Sequence, residues 1–111
     1  MAPDNPTTVH MQQRAGGRAF VTGARRGIGR AIALALAEGG FDVAVNDVTG
    51  SAELDATAAA IAALGRKSAA VPGDIGAIEN HLEMLARAEA ALGPLTTLVN
   101  NAGVSVANRG D

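Results

Sequence analysis

Cysteine, tryptophan and tyrosine are absent from this 111-residue sequence, and its aromatic side chains are limited to Phe20 and Phe41. Without cysteine there is no disulfide framework and no thiolate metal centre, and His10 and His81 are too isolated to build a metal site. His81 reads as a polar position on a helix. No apolar run approaches the ~20 residues that span a bilayer, and Met1 to Gly17 lacks the apolar core of a secretory signal. The expectation is a soluble, cytoplasmic protein. Excess charge is lacking too: nine Lys and Arg against eleven Asp and Glu leave a net charge of −2, which offers no general attraction to nucleic acid or to an anionic membrane. Arg14, Arg18, Arg25, Arg26 and Arg30 cluster locally, but no aromatics are interleaved with them.

What is present is alanine and aliphatic side chain. Apolar residues make up 48% of the chain, a composition that suits helices packed closely on a sheet. The length fits one domain at most, burying about two-thirds of its unfolded surface. Met1 to Gly17, with Pro3, Pro6 and Gly16-Gly17, reads as a flexible extension; 18–111 reads as the ordered part. Arg18 to Thr22 reads as a buried strand. Gly27 to Glu38 reads as a helix that is apolar almost all round, with Ile28, Ile32 and Leu36 in one stripe, closed by Gly39-Gly40. Phe41 to Asn46 is a second strand. A second helix starts at an N-cap Ser51 and runs to Leu64, with Leu54, Ala58, Ile61 and Leu64 inward and Gly65 closing it. Lys67 to Val71 is a third strand, turned by Pro72-Gly73-Asp74. A third helix spans Ala77 to Leu92 with Ile78, Leu82, Leu85 and Leu92 inward, stopped by Gly93-Pro94, and Leu95 to Val99 is a fourth strand. This alternation is that of an α/β fold with a parallel sheet, four strands and three helices, in which ligands lie at the carboxyl ends of the strands.

The first strand runs into Thr22-Gly23-Ala24-Arg25-Arg26-Gly27-Ile28-Gly29 and then a helix. Gly23 lets the strand break sharply. Gly27 and Gly29 let a ligand or a neighbouring strand approach the helix start. The turn therefore aims free backbone N–H groups and the positive end of a helix dipole at one spot that suits a pyrophosphate. Asp47 follows the second strand, Asp74-Ile75 the third, and Asn100-Asn101-Ala102-Gly103 the fourth, so every motif falls at a strand's carboxyl end.

Glycines spaced as Gly23, Gly27 and Gly29, followed in order by Asn100-Asn101-Ala102-Gly103, resemble the short-chain dehydrogenase/reductase family, whose members bind NAD or NADP on a Rossmann-type sheet. The resemblance covers Arg18 to the end. It implies cofactor contacts from Gly23, Arg25, Arg26, Gly27, Ile28, Gly29, Asp47, Asp74, Ile75, Asn101, Ala102 and Gly103. Asp47, about 20 residues past the glycines, is placed to accept from the adenosine ribose hydroxyls and to repel a 2'-phosphate, which favours NAD; the bland alternative is a loop aspartate starting a turn. Arg25 and Arg26 admit NADP instead, since Arg26 matches a position that contacts the 2'-phosphate in NADP-using relatives. Two resolutions stand open: Arg26 pairs with Asp47 across the adenosine pocket, or it stacks on the adenine. Asp74-Ile75 resembles the acidic-aliphatic pair that meets the adenine ring, and Asp74 by itself reads equally as a helix-initiating residue.

The family's catalytic tyrosine, its partner lysine and its serine have no counterparts here. The chain has no tyrosine, Lys67 enters the third strand, and Ser105 comes too early. No catalytic and no metal-binding residue is assigned. The expectation is the N-terminal, cofactor-binding half of a Rossmann domain, inactive alone. In the complete enzyme, which the family resemblance expects as a homo-oligomer, hydride would move between nicotinamide and a carbonyl or alcohol, with Gly40 to Asp47 and the tail from Asn100 most like the 3-oxoacyl-acyl-carrier-protein reductases. The alternative is a non-catalytic nucleotide-binding module or a truncated gene product.

Overall fold

The computed structural model describes residues 16–101. All but the end of the expected N-terminal extension, and also Ala102, Gly103 and Ser105, lie outside the described residues. Strands and helices alternate: β1 (Arg18–Val21), α1 (Gly27–Glu38), β2 (Asp42–Val45), α2 (Ala52–Ala63), β3 (Ser68–Ala70), a 3₁₀ turn at Ile78–Asn80, α3 (His81–Leu92) and β4 (Thr97–Val99). All strand pairs are parallel and the sheet order is β3-β2-β1-β4. Parallel neighbours need a long crossover, and each helix supplies one. The chain steps outward from β1 to β3 and then returns to the far side of β1, so the order reverses between β1 and β4. In an open α/β sheet that reversal opens a crevice at the carboxyl ends of the strands.

The strands end flush. Val21 is level with Val45 and with Val99, and Val45 is level with Ala70. The loops that follow are thereby brought to one edge of the sheet.

Alternation along the strands divides the core into two layers. Val21, Val43 and Val45 face α1 and α2 and pack with Ala33, Ala37, Leu54 and Ile61. Phe20 and Ala44 face the other way and pack with Val71, Met84, Ala88 and Leu92 on the α3 side. Burying a large apolar side chain such as Phe20, Leu54 or Ile61 stabilises by roughly 1.5–3 kcal/mol.

The helices bury part of each expected stripe, with Ile32, Leu36, Ala58 and Leu85 partly buried against the core, and depart from it at the helix ends. On α1 the buried row is Gly29, Ala33 and Ala37, while Ile28 is 70% exposed. Only the smallest side chains fit where this helix meets β1. On α2, Leu54 and Ile61 are buried with Thr57, and Leu64 is 44% exposed because it is the C-cap rather than part of the helix. On α3 the buried row is Met84, Ala88 and Leu92; Ile78 and Leu82 are exposed. Ile78 belongs to the 3₁₀ turn, so it is off the helical stripe altogether.

The helix ends follow the expected chemistry more closely. Gly40, Gly65 and Gly93 take positive φ just past the three helices, conformations in which a Cβ would be strained. The Ser51 Oγ accepts from the Leu54 amide at 3.1 Å, with Glu53 and Asp55 in the same first turn. Replacing Ser51 by Ala is expected to cost about 0.5–2 kcal/mol, read as a lower midpoint in denaturant unfolding.

Candidate functional site

Four loops converge on the flush carboxyl edge, and the glycine turn between β1 and α1 lies at their centre. Gly23 (φ 65°) and Gly27 (φ 63°) both occupy the left-handed region, so the chain reverses twice within five residues. Gly29 is required for a different reason. A Cβ there would stand 2.0 Å from the Gly23 carbonyl oxygen and 2.8 Å from Asn101 Nδ2. The start of α1 is thus pressed directly on the end of β1. At Gly27, by contrast, a Cβ would meet nothing within 4 Å. Open space therefore stands in front of the turn.

Neighbouring strands hold the turn from both sides. Asn101 Nδ2 donates to the Gly23 carbonyl at 3.2 Å from the β4 side, and the Ala24 amide donates to the Asn46 carbonyl at 2.9 Å from the β2 side. Thr22 Oγ1 lies 3.2 Å from Asn100 Oδ1, adding a second tie to the β4 loop. Helix α1 starts at Arg26 with extended backbone, no capping side chain and no acidic residue in its first turn. Its leading amides have no partner within the helix. Together with the local dipole they make a cradle of uncapped donors, whereas the start of α2 is occupied by its own serine and carboxylates.

Asp47 stands beside this cradle. Its Oδ1 accepts from the Val48 amide at 2.8 Å, and its Oδ2 faces the Arg25 amide at 3.4 Å and Arg25 Nε at 3.7 Å. Of the two arrangements left open for Arg26, pairing with Asp47 is not what the structure shows: Arg25 stands there instead. The double reversal brings the Arg25 backbone against β2, and the extended Arg26 is left exposed, with no side-chain hydrogen bond to another described residue. Arg25 also reaches Glu53 Oε1 at 2.5 Å. With side chains 35% and 53% exposed, that ion pair adds only about 0–1 kcal/mol to stability.

Asp74 is exposed, and its Oδ1 accepts from the Gly76 amide at 2.8 Å, so it shapes the loop after β3. Ile75 packs against the α3-side core and lines a hollow of about 350 Å³ with Phe20, Thr22, His81, Met84 and Leu98. His81 opens α3, its Nε2 lying 2.5 Å from the Ile75 carbonyl. The structure thus brings Gly23, Gly27, Gly29, Arg25, Asp47 and Asn101 together. Asp74 and Ile75 sit on the adjoining loop. Among the described residues, no group of three His, Asp or Glu could hold a metal, and no helix is long and apolar enough to cross a membrane.

Asn46 carries a role that sequence reasoning missed. It is 1% exposed, and its Nδ2 donates to the carbonyls of Val71 at 2.9 Å and Gly73 at 3.0 Å. One side chain ties the β3 loop to β2 while its main chain ties β2 to the glycine turn. A polar residue ending an apolar strand looks like the first residue of a loop; the available signal was its position directly before Asp47.

A model of the family described as short chain dehydrogenase matches residues 18–110, and the chain belongs to this family. It is 46% identical over 89 residues to a short-chain dehydrogenase/reductase of Armillaria gallica, covering 79% of this chain and 34% of that one. It is 41% identical over 90 residues to the 3-oxoacyl-[acyl-carrier-protein] reductase FabG of Staphylococcus epidermidis, covering 81% and 37%. Among solved structures, carveol dehydrogenase from Mycobacterium avium in complex with NAD superposes with a TM-score of 0.68 at 28% identity, over 75% of this chain and 34% of that one. The chain spans about a third of the length of the curated relatives it matches. Its Rossmann-type parallel sheet is that of the family.

The two glycines differ in what surrounds them: backbone at Gly29, open space at Gly27. Gly29→Ala is expected to lower stability by more than about 2 kcal/mol, because backbone rather than a flexible side chain must give way. Gly27→Ala is expected to cost only the left-handed strain, about 1–2 kcal/mol. Denaturant unfolding of the two variants checks the order. Asn46→Ala is expected to cost about 1–3 kcal/mol, since it strips a donor from two carbonyls that it serves from a buried position.

Proposed function

We propose that residues 18–111 form the cofactor-binding half of a nicotinamide-dependent oxidoreductase, with the glycine turn holding the pyrophosphate and Asp47 the adenosine ribose of NAD. One observation carries the reading: the uncapped start of α1 faces open space at Gly27, and a carboxylate stands beside it. The residues suit the group. Free amides match an anion, and a carboxylate matches two vicinal hydroxyls while disfavouring a 2'-phosphate. Asp74 and Ile75 would meet the adenine, and Asn101, Ala102 and Gly103 would border the cofactor from the β4 side. Ile28 would stand with Gly27 at the mouth of the cradle. Arg26, exposed at the N-cap, is the cation left to face the adenosine end.

Bound nicotinamide would supply hydride transfer to or from a carbonyl or alcohol. This chain's own part is to bind and orient the ADP portion. The likeness to the staphylococcal 3-oxoacyl-[acyl-carrier-protein] reductase supports a carbonyl reductase of that kind; a homo-oligomer in the cytoplasm is part of the same proposal. Its catalytic tyrosine would come from outside these 111 residues, which contain none. The same absence favours a second reading, a nucleotide-binding module without turnover. A coding sequence that continues in frame into a Tyr-x-x-x-Lys segment decides for the enzyme; a genuine stop codon with no partner chain decides for the module.

Calorimetric titration of the 111-residue chain is expected to show NAD binding more tightly than NADP. Asp47→Ser is expected to weaken NAD about tenfold or more, the scale of a lost charge-assisted hydrogen bond. No binding of either dinucleotide, or tighter binding of NADP, would contradict the assignment.

A further inference from the structure

We infer that Glu53, on the first turn of α2, is a specificity-determining residue that acts through Arg25: it holds the guanidinium in an ion pair and so reinforces discrimination against a 2'-phosphate. The inference rests on the dinucleotide reading above.

Among the described residues, Arg25 is the cation whose side chain forms ion pairs at the end of β2. It has two carboxylates to choose from, and the geometry ranks them. Its NH1 group is 2.5 Å from Glu53 Oε1, while its Nε is 3.7 Å from Asp47 Oδ2, beyond hydrogen-bond range. The shorter contact is therefore with Glu53, on α2, rather than with Asp47 at the end of β2. The backbone favours the same arrangement. Thr57, fully buried one turn along α2, lies with its Oγ1 3.4 Å from the Arg25 carbonyl and receives Arg30 NH1 at 3.0 Å, which docks this face of α2 on the turn. Glu53 is carried to Arg25 by that docking.

Two consequences follow for charge. Asp47 shares Arg25 with Glu53: its hydrogen bonds come from the amides of Val48 and Arg25, and its ion pair with the guanidinium is the longer of the two. The group of Arg25, Asp47 and Glu53 also carries a net negative charge. Both effects oppose a phosphate dianion and leave ribose hydroxyls acceptable. An arginine in this turn, which by composition alone argues for NADP, is thereby made unavailable to it.

Glu53→Gln is isosteric, and Glu53 is exposed, so the variant is expected to fold with an unfolding midpoint close to that of the parent. Asp55→Asn is the control: it removes the same charge from the same helical turn at a residue that makes no ion pair with Arg25. Binding of NAD and NADP to the 111-residue chain is measured by calorimetry for the parent and both variants. Glu53→Gln is expected to tighten NADP roughly two- to fivefold, the scale of an exposed ion pair, and to leave NAD within about twofold. Asp55→Asn is expected to leave both within about twofold. Unchanged NADP affinity in Glu53→Gln overturns the inference while leaving the dinucleotide reading standing, as does an equal gain in Asp55→Asn, which would mean a diffuse field rather than a contact. A parent chain that binds neither dinucleotide overturns the dinucleotide reading, and this inference with it.

Discussion

The contact between the Gly23 carbonyl and the α-carbon of Gly29 is the constraint on which the rest depends. No Cβ fits between them, so α1 begins almost on top of the end of β1. That closeness dictates the buried face of the helix: moving along the same row, only alanine follows, at Ala33 and Ala37, and the larger Ile28 is turned to solvent. It also dictates what the helix start can do. Pressed against the strand and left without a capping side chain, its amides face outward over the edge of the sheet, where open space meets them at Gly27.

Because the strands end level, small side chains suffice to connect the loops beyond them. Asn101 reaches the glycine turn from one side, the Asn46 main chain reaches it from the other, and the buried Asn46 amide extends the link to the β3 loop. These bonds are short-range and mostly uncharged, so they set geometry without filling the cradle. The charged residues gather one step outward, at Arg25, Asp47 and Glu53, where partial exposure makes them weak contributors to stability.

The order of elements was legible in the sequence because glycine and proline punctuate it so densely. Strands and helices fall within a few residues of their expected bounds, and Ser51 caps α2 as its type and position imply. The geometry of the glycine turn was legible where the backbone demands a particular residue type, as at Gly23 and Gly29. Orientation was harder to read. Helices rich in alanine are apolar on several sides, so the stripe of Ile28, Ile32 and Leu36 was right only in part: Ile32 and Leu36 pack partly buried against the core, Ile28 is exposed, and size exclusion makes Gly29, Ala33 and Ala37 the buried row. The choice between Arg25 and Arg26 turned on two left-handed glycines whose joint effect on side-chain direction is a property of the folded backbone. Asn46 was concealed for a related reason: its hydrogen-bond partners are main-chain carbonyls, which leave no trace in residue identity.

The central claim is that the glycine turn receives a pyrophosphate. Amide chemical-shift mapping of the chain with ADP-ribose, against adenosine as a control, addresses it most directly. The account predicts that the amides of Gly27, Ile28 and Gly29 shift with ADP-ribose and stay in place with adenosine. Shifts confined to the 350 Å³ hollow around Phe20 and Met84, with the turn unmoved, would contradict it.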